Sequence, residues 1–354
     1  MTDPNLYTVG WICALHNEFV AALEMLDETH DKLSHQPQND NNVYGLGRVH
    51  NHNVVIAVLP EGGHGTTAAT SVAQDMLRTF TNLKIGLMVG IGGGAPSRKH
   101  DIRLGDIVVS VPRNSYGGVI QYDYGKTIQN QGFHITSVLA PPPPLLLAAV
   151  TSIRAKHARA PEGPQIHEKI EKILQNKRRL RRRFARPDDV EDVLYDSDFT
   201  HPSSEITCAK SCSSNTSRIK QRSKRTEDDD NPAIHYGLIG SANTLMKDAK
   251  IRDYLANEKE IMCFEMEAAG LMNTYPCLVI RGICDYSDTH KNDIWQNYAA
   301  MTAAVYTKEL LKEIAPTQLD TLTSVDLEDI KKKRPPTRGC AKATSRVSKG
   351  AGHE

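Results

Sequence analysis

The chain has 354 residues, of which 39% are hydrophobic and 24% charged. That length suffices for one large decorated domain or for two, and no apolar run approaches the roughly 18 to 20 residues of a membrane span, so a transmembrane protein is excluded. Lys and Arg total 43 against 42 Asp and Glu, a net charge of +1, which leaves no chain-wide basic field and makes nucleic acid an unexpected partner.

The opening residues Met-Thr-Asp-Pro-Asn lack the basic and apolar regions of a secretory leader, and the seven cysteines are scattered, which predicts a reduced, cytoplasmic protein. Apolar runs at Tyr7 to Leu15, Val54 to Leu59, Ile85 to Ile91 and Asp106 to Val111 read as strands. Between them Glu18 to Leu26 and Thr66 to Phe80 read as helices, an α/β alternation. From Pro141 to Asn231 the character changes: Pro141 to Pro144, a helical pattern at Leu145 to His157, a basic run Lys177 to Arg186 and a polar stretch Asp196 to Asp230. This segment reads as an insertion over residues 136–233, too polar for a core of its own and partly flexible. The α/β pattern then resumes with a strand at Tyr236 to Ile239, helices at Thr244 to Leu255 and Ile261 to Asn273, a buried strand at Leu278 to Ile283 and an amphipathic helix at Tyr298 to Ile314. Residues 1–315 therefore form one domain, and 316–354 are expected to be a disordered basic tail.

Three segments could carry chemistry. Val89-Gly90-Ile91-Gly92-Gly93-Gly94-Ala95-Pro96 follows a buried strand, and glycines there, Gly92 and Gly93 among them, let the backbone approach a ligand; a plain structural turn is the other reading. Cys263-Phe264-Glu265-Met266-Glu267-Ala268-Ala269-Gly270 sets two carboxylates in an apolar segment at a helix start, where they bind something or where Glu265 merely caps the helix. The strand Leu278 to Ile283 ends in Cys284-Asp285-Tyr286-Ser287-Asp288, with Asp285 the acid candidate at the position where α/β sheets bind ligands, unless it caps the next helix.

Together the Gly90 to Gly94 segment, Leu104-Gly105-Asp106-Ile107-Val108-Val109-Ser110, Phe264-Glu265-Met266-Glu267-Ala268-Ala269 and Arg281-Gly282-Ile283-Cys284-Asp285 resemble the nucleoside phosphorylase and nucleosidase superfamily, over residues 7–135 and 234–314. His235-Tyr236-Gly237-Leu238-Ile239 and Trp295-Gln296-Asn297-Tyr298-Ala299-Ala300 look like the branch that forms the N-terminal module of fungal NACHT and ankyrin immune-type receptors. The resemblance implies a central mixed β-sheet flanked by helices, a homo-oligomer, no cofactor, and cleavage of a purine N-glycosidic bond through an oxocarbenium-like state. It makes Asp285 the acid that protonates purine N7, with a pKa raised by an apolar pocket. It sets Glu267 and the Met266 backbone on the ribose hydroxyls, and Leu245 and Met246 against the purine. An Asp at 285 suits the 6-amino group of adenine.

Phosphorolysis and hydrolysis differ in the nucleophile. Bacterial phosphorylases carry Arg where this chain has Glu18 and Met88, and Ser where it has Ile91, so the family positions that bind phosphate lack suitable groups. Glu18 is read as the water-activating base, as in the methylthioadenosine nucleosidases, against a solvated residue in the first turn of a helix. The expected activity is hydrolysis of adenine nucleosides or nucleotides. ATP enters if the basic residues Arg154, Lys156, His157, Lys177 to Arg186 and His201 of the insertion bind a 5′-phosphate chain. The rivals are a phosphate-dependent phosphorylase using Arg48, Arg98 or Arg103, a non-catalytic nucleotide sensor, and RNA binding by the basic run. Cys208 and Cys212 with His201 and His235 are metal-ligand types, but a three-residue spacer without a second pair is a weak pattern, and no metal is expected. Lys331 to Arg334 is a candidate nuclear address.

Overall fold

A computed structural model of the chain describes residues 2–189, 192–202 and 206–325. In chain order the first block comprises β1 (Val9–Cys13), α1 (His16–Leu23), β2 (Glu28–Thr29), β3 (Tyr44–Val49), β4 (His52–Val58), α2 (Gly65–Thr79), β5 (Ile85–Gly94), β6 (Ile107–Ser110), β7 (Val119–Gln121) and the hairpin β8 (Gly125–Thr127) and β9 (Phe133–Ile135). The insertion carries α3 (Pro144–Arg159), α4 (Ile166–Leu174), α5 (Arg178–Phe184) and α6 (Cys208–Ser211). The last block is β10 (Ile234–Ser241), α7 (Ala249–Glu258), β11 (Ile261–Glu265), α8 (Ala268–Leu271), β12 (Cys277–Asp285), α9 (Gln296–Lys312) and α10 (Pro316–Asp320).

A ten-stranded sheet runs β11-β10-β6-β12-β5-β1-β4-β3-β2, with β7 beside β10. It is mixed: β5 is parallel to β1 and β12, whereas β12 is antiparallel to β6. β1, β5, β6, β11 and β12 are buried along their whole length, which explains why they read as continuous apolar runs rather than alternating ones. One further pairing decides the shape of the site. The end of β5 turns to meet β11, antiparallel, through Gly94 with Cys263 and Gly93 with Phe264, and this closes β5, β12, β6, β10 and β11 into a ring.

That pairing also corrects two expectations. Gly90 to Gly94 is not a loop but the second half of β5, paired with Arg281 to Asp285 on one side and with β11 on the other. Ile261 to Glu265 is a strand rather than the start of a helix, because its backbone is taken up by β10 and β5; the helix is the single turn Ala268–Leu271. The helix expected from Thr244 begins at Ala249, where the Asp248 carboxylate accepts from the amides of Lys250 and Ile251.

The insertion is more firmly attached than its composition suggests. Leu146, Ala149, Val150 and Ile153 on α3, Ile166, Ile170 and Leu174 on α4, and Phe184 on α5 are buried in the same core as the sheet, and all three helices lie against α9. Apolar residues three and four apart form one stripe per helix, which an average over the whole polar segment conceals. Residues 316–325 likewise belong to the folded unit: Leu319 is buried and the Val325 amide donates to the Leu83 carbonyl. The remainder of the expected tail, with Lys331 to Arg334, lies outside the described residues. Among the described residues no helix is long and apolar enough to cross a membrane.

Asp106, fully buried at the start of β6, joins insertion and sheet. Its carboxylate accepts from Arg225 Nη1 at 2.5 Å and Nη2 at 2.6 Å, from His235 Nε2 at 2.9 Å and from the amides of Ala233 and Arg103 at 2.9 Å. Burial works to raise its pKa, but Arg225 and His235 hold it below its ordinary value. The folded state thus favours the ionised form, and its contribution is present above about pH 4 and is lost as the pH falls through the depressed value. Asp106→Ala should cost about 3 kcal/mol at pH 7, and denaturant titration should show that loss shrinking below pH 4.

Candidate active site

The C-terminal ends of β5, β11 and β12 and the first turn of α1 open onto a cleft of about 300 Å³. Every site residue expected from the sequence lines it: Glu18, Gly92, Gly93, Leu245, Met246, Glu265, Met266, Glu267 and Asp285. So do Arg281, Lys291, His64, Phe264 and Ser287, to which the sequence reading gave no role.

Arg281 is the centre of the charge arrangement. It sits in the middle of β12, and its Nη2 donates to Glu265 Oε2 at 2.5 Å and lies 3.6 Å from Glu267 Oε2, while Nη1 donates to the Ile91 carbonyl at 3.1 Å and lies 3.9 Å from Glu18 Oε1. Its side chain is 1% exposed. Burial opposes its charge, but Glu265, Glu267 and Glu18 together hold its pKa above the ordinary value. An Arg in an otherwise apolar strand was the available signal, since a guanidinium is tolerated there only against buried carboxylates.

Glu18 is not the solvated residue of an exposed helix; it is 3% exposed. Its Oε2 accepts from the amides of Ala14 at 2.6 Å and Leu15 at 3.0 Å, and its Oε1 from the Ile91 amide at 2.8 Å. Burial outweighs these donors and Arg281, and the carboxyl is pushed above its ordinary value. This close approach depends on Gly90: a Cβ there would lie 2.3 Å from Glu18 Oε1 and 2.7 Å from Arg281 Nη1. Gly93 does the same for the acid candidate, since its Cβ would meet Asp285 Oδ1 at 2.6 Å. The glycines therefore make room for the protein's own side chains beside the backbone.

Glu265 accepts from the amides of Glu267 and Ala268 and from Arg281, so it caps α8 and orients the guanidinium. Glu267, five per cent exposed, accepts from the Gly65 amide at 3.2 Å and faces the cleft. Burial first, then the neighbouring Glu265, raises its pKa to about 7.

The surroundings of Asp285 differ from the apolar pocket expected. Its Oδ1 accepts from the Ser287 amide at 2.8 Å, and its Oδ2 from Lys291 Nζ at 2.8 Å and from the Cys284 thiol at 3.2 Å. Burial works against the charge of Lys291, but Asp285 holds its pKa above the ordinary value. The strand end supplies donors because the chain turns back over it, and Lys291 returns six residues later. Opposite, Leu245, Met246 and Phe264 give the cleft an apolar wall.

The basic residues of the insertion do not line this cleft. Lys156 pairs with Glu313, His157 with Glu309, Lys177 with Glu24, Arg181 with Glu171 and Arg186 with Asp189, while Arg154 lies over the Tyr236 ring. His235 is held by Asp106, away from Cys208 and Cys212. A larger groove of about 720 Å³ lies over α3, α4 and α9, but its Lys156, His157, Lys169, Glu309 and Glu313 are paired with one another.

No model of a known protein family matches the chain. A nucleotide-binding leucine-rich repeat (NLR)-like protein of Hyaloscypha variabilis is 45% identical over 316 residues, 89% of this chain, and the chain spans 30% of that relative's length. Among solved structures, a 5′-methylthioadenosine/S-adenosylhomocysteine nucleosidase of Neisseria meningitidis in complex with methylthio-immucillin-A superposes with a TM-score of 0.54 at 16% identity, covering 87% of this chain and 100% of that one. Futalosine hydrolase of Helicobacter pylori gives 0.52 at 17% identity, over 87% of this chain and 99% of that one. The 5′-methylthioadenosine/S-adenosylhomocysteine nucleosidase of Helicobacter pylori, complexed with a substituted pyrrolidin-3-ol, gives 0.52 at 17% identity, over 88% of this chain and 100% of that one. The chain thus has the nucleoside phosphorylase and nucleosidase fold.

The raised pKa of Glu267 has a stability consequence. The folded state keeps a proton that the unfolded chain releases near the ordinary value of 4.5, so stability falls as the pH rises from there to about 7. Glu267→Gln, which keeps an acceptor for Gly65 without the charge, should raise the unfolding midpoint at pH 8, and calorimetry should show the gain disappearing toward pH 4.

Proposed function

We propose that the protein is a purine N-ribosidase that hydrolyses the N-glycosidic bond of adenine nucleosides or nucleotides. The observation that carries this reading is the convergence of Glu18, Glu267 and Asp285 on one cleft with an apolar wall. The purine lies against Leu245, Met246 and Phe264, with N7 toward Asp285. Glu267, with the Met266 backbone, holds the ribose hydroxyls. Glu18 takes a proton from a water molecule whose oxygen attacks C1′. The C1′–N9 bond breaks, its electron pair goes to the base, and Asp285 delivers a proton to N7. The proton that Asp285 delivers is taken up from solvent, Glu18 returns its proton to solvent, and Lys291, bonded to Asp285 Oδ2, holds the carboxyl in place.

The charges favour water over phosphate. Glu18, Glu265 and Glu267 carry three carboxyl groups around one guanidinium, which is already paired. A phosphate dianion beside Glu18 would meet net repulsion in a region of low dielectric, whereas a water molecule gives the carboxylate a proton to accept. A raised pKa also suits Glu18 as a base, because its basicity lies closer to working pH. For the 5′ end, the basic residues of the insertion do not line the cleft; among the described residues its Lys and Arg side chains are Lys291 and Arg281, both held by carboxylates.

The test is release of free adenine from adenosine, methylthioadenosine, AMP and ATP, with and without phosphate. The expected result is free adenine from at least one, at a rate independent of phosphate, slower release of hypoxanthine from the inosine counterpart, and a sedimentation mass of a homo-oligomer. Glu18→Gln and Asp285→Ala should each lower kcat by about 100- to 10,000-fold. Because Glu18 must be ionised, kcat/KM should fall with decreasing pH through a value above the ordinary carboxylate range. Base release only in the presence of phosphate would make the enzyme a phosphorylase, and binding without release from any substrate would make it a sensor.

A further inference from the structure

On the far side of Asp285 the insertion folds back onto the loop after β12, and there three metal-ligand side chains converge. Cys208 opens α6 and Cys212 follows its last residue, so one helical turn brings both thiols to the same side. His201 Nδ1 lies 3.2 Å from Cys212 Sγ and 3.7 Å from Cys208 Sγ, and the three donor atoms are all within 4.8 Å of one another. In a tetrahedral zinc site, Zn–S and Zn–N distances of about 2.3 and 2.0 Å set the S···N edge at about 3.5 Å, between the two distances found.

The orientation of the imidazole supports a ligand role. His201 Nε2 donates to the Ile206 carbonyl at 2.6 Å, which leaves Nδ1, facing the sulfurs, with its lone pair. The His201 amide donates to Thr289 Oγ1 at 2.8 Å, fixing the backbone against the loop. Independently, His290 is 6% exposed, yet neither of its ring nitrogens has a hydrogen-bond partner. Its ring centre is 5.7 Å from that of His201, and Cys208 Sγ lies 3.6 Å from its carbonyl oxygen. Its Nδ1 lies 3.6 Å from Asp288 Oδ1 and its ring stacks on Tyr195, which leaves Nε2, buried and without a hydrogen-bond partner, available to a metal.

We propose that His201, Cys208 and Cys212, whose donor atoms cluster within 4.8 Å, hold a zinc ion that fastens the insertion to the loop between Asp285 and Lys291, with His290 swinging in from outside that cluster as the fourth ligand. Two thiolates and two imidazoles form the donor set of a structural zinc site, closed and without an open coordination position. His235, the other histidine that the sequence suggested, is committed to Asp106 and takes no part. The inference does not depend on the hydrolase reading.

The experiment uses the full chain, reduced, stripped with a chelator and re-loaded with zinc or cobalt. Elemental analysis should find about one zinc per chain. The cobalt form should show thiolate charge transfer and the intense d–d bands of tetrahedral coordination. Cys208→Ser/Cys212→Ser should abolish both, and His290→Gln should weaken zinc binding at least tenfold. Because a variant can fail to fold, the stripped wild-type chain is the second arm: zinc should raise its unfolding midpoint, and magnesium should not. A wild-type chain that takes up less than about a tenth of an equivalent, a Cys208–Cys212 disulfide that persists under reduction, or unchanged binding in His290→Gln would overturn the four-residue site.

Discussion

A guanidinium buried in the middle of a β-strand sets the terms for everything around it. Arg281 can be held there only if carboxylates reach it, and they come from three separate places: Glu18 from the first turn of α1, and Glu265 and Glu267 from the end of β11 and the start of α8. Bringing them in requires a strand without side chains beside it, which Gly90 provides, and a sheet that curls until β11 meets β5. The cost of burying charge is met by mutual pairing, yet three acids against one base leave Glu18 and Glu267 with raised pKa values. The same arrangement that is unfavourable for folding gives the cleft a carboxylate more basic than an ordinary one.

The outer layers follow from that centre. α9 crosses β12 and β5, the insertion helices pack on α9, and Asp106 ties the end of the insertion to β6 and β10 through Arg225 and His235. Arg222, between Asp192 of the insertion and the ring of Tyr286, fastens it beside Asp285 as well. The insertion is therefore part of the wall behind Asp285 rather than a separate appendage. Lys177, Arg181 and Arg186 of its basic run make surface ion pairs, each worth little by itself.

How much of this was legible in the sequence depends on range. The buried strands and the long helices α2 and α9 have local periodicity, and their positions follow from it. Asp285 and the Glu265 and Glu267 pair were legible as charges in apolar segments. Arg281 carried the same signal in the same strand and was left without a role, although a lone Arg among Leu278 to Ile283 calls for buried partners. The burial of Glu18 was not legible locally, since it depends on Gly90, 72 positions away in β5. Gly90 to Gly94 and Ile261 to Glu265 were misassigned for one reason: the first is a strand because it pairs with β12 and β11, the second because it pairs with β10 and β5, and such long-range pairings leave no trace in a window of ten residues. The donors around Asp285 were missed because Lys291 belongs to the loop that folds back over the strand end.

The central claim is that three carboxylates around Arg281 make water, not phosphate, the nucleophile. It is tested most directly by running the reaction in ¹⁸O-labelled water with unlabelled phosphate present, reducing the sugar with borohydride within the first turnovers, and weighing it. The account predicts one labelled oxygen at the former C1′ and no phosphorylated C1′. An unlabelled sugar 1-phosphate would contradict it, and would mean that Arg281 is released from its carboxylates to bind the anion.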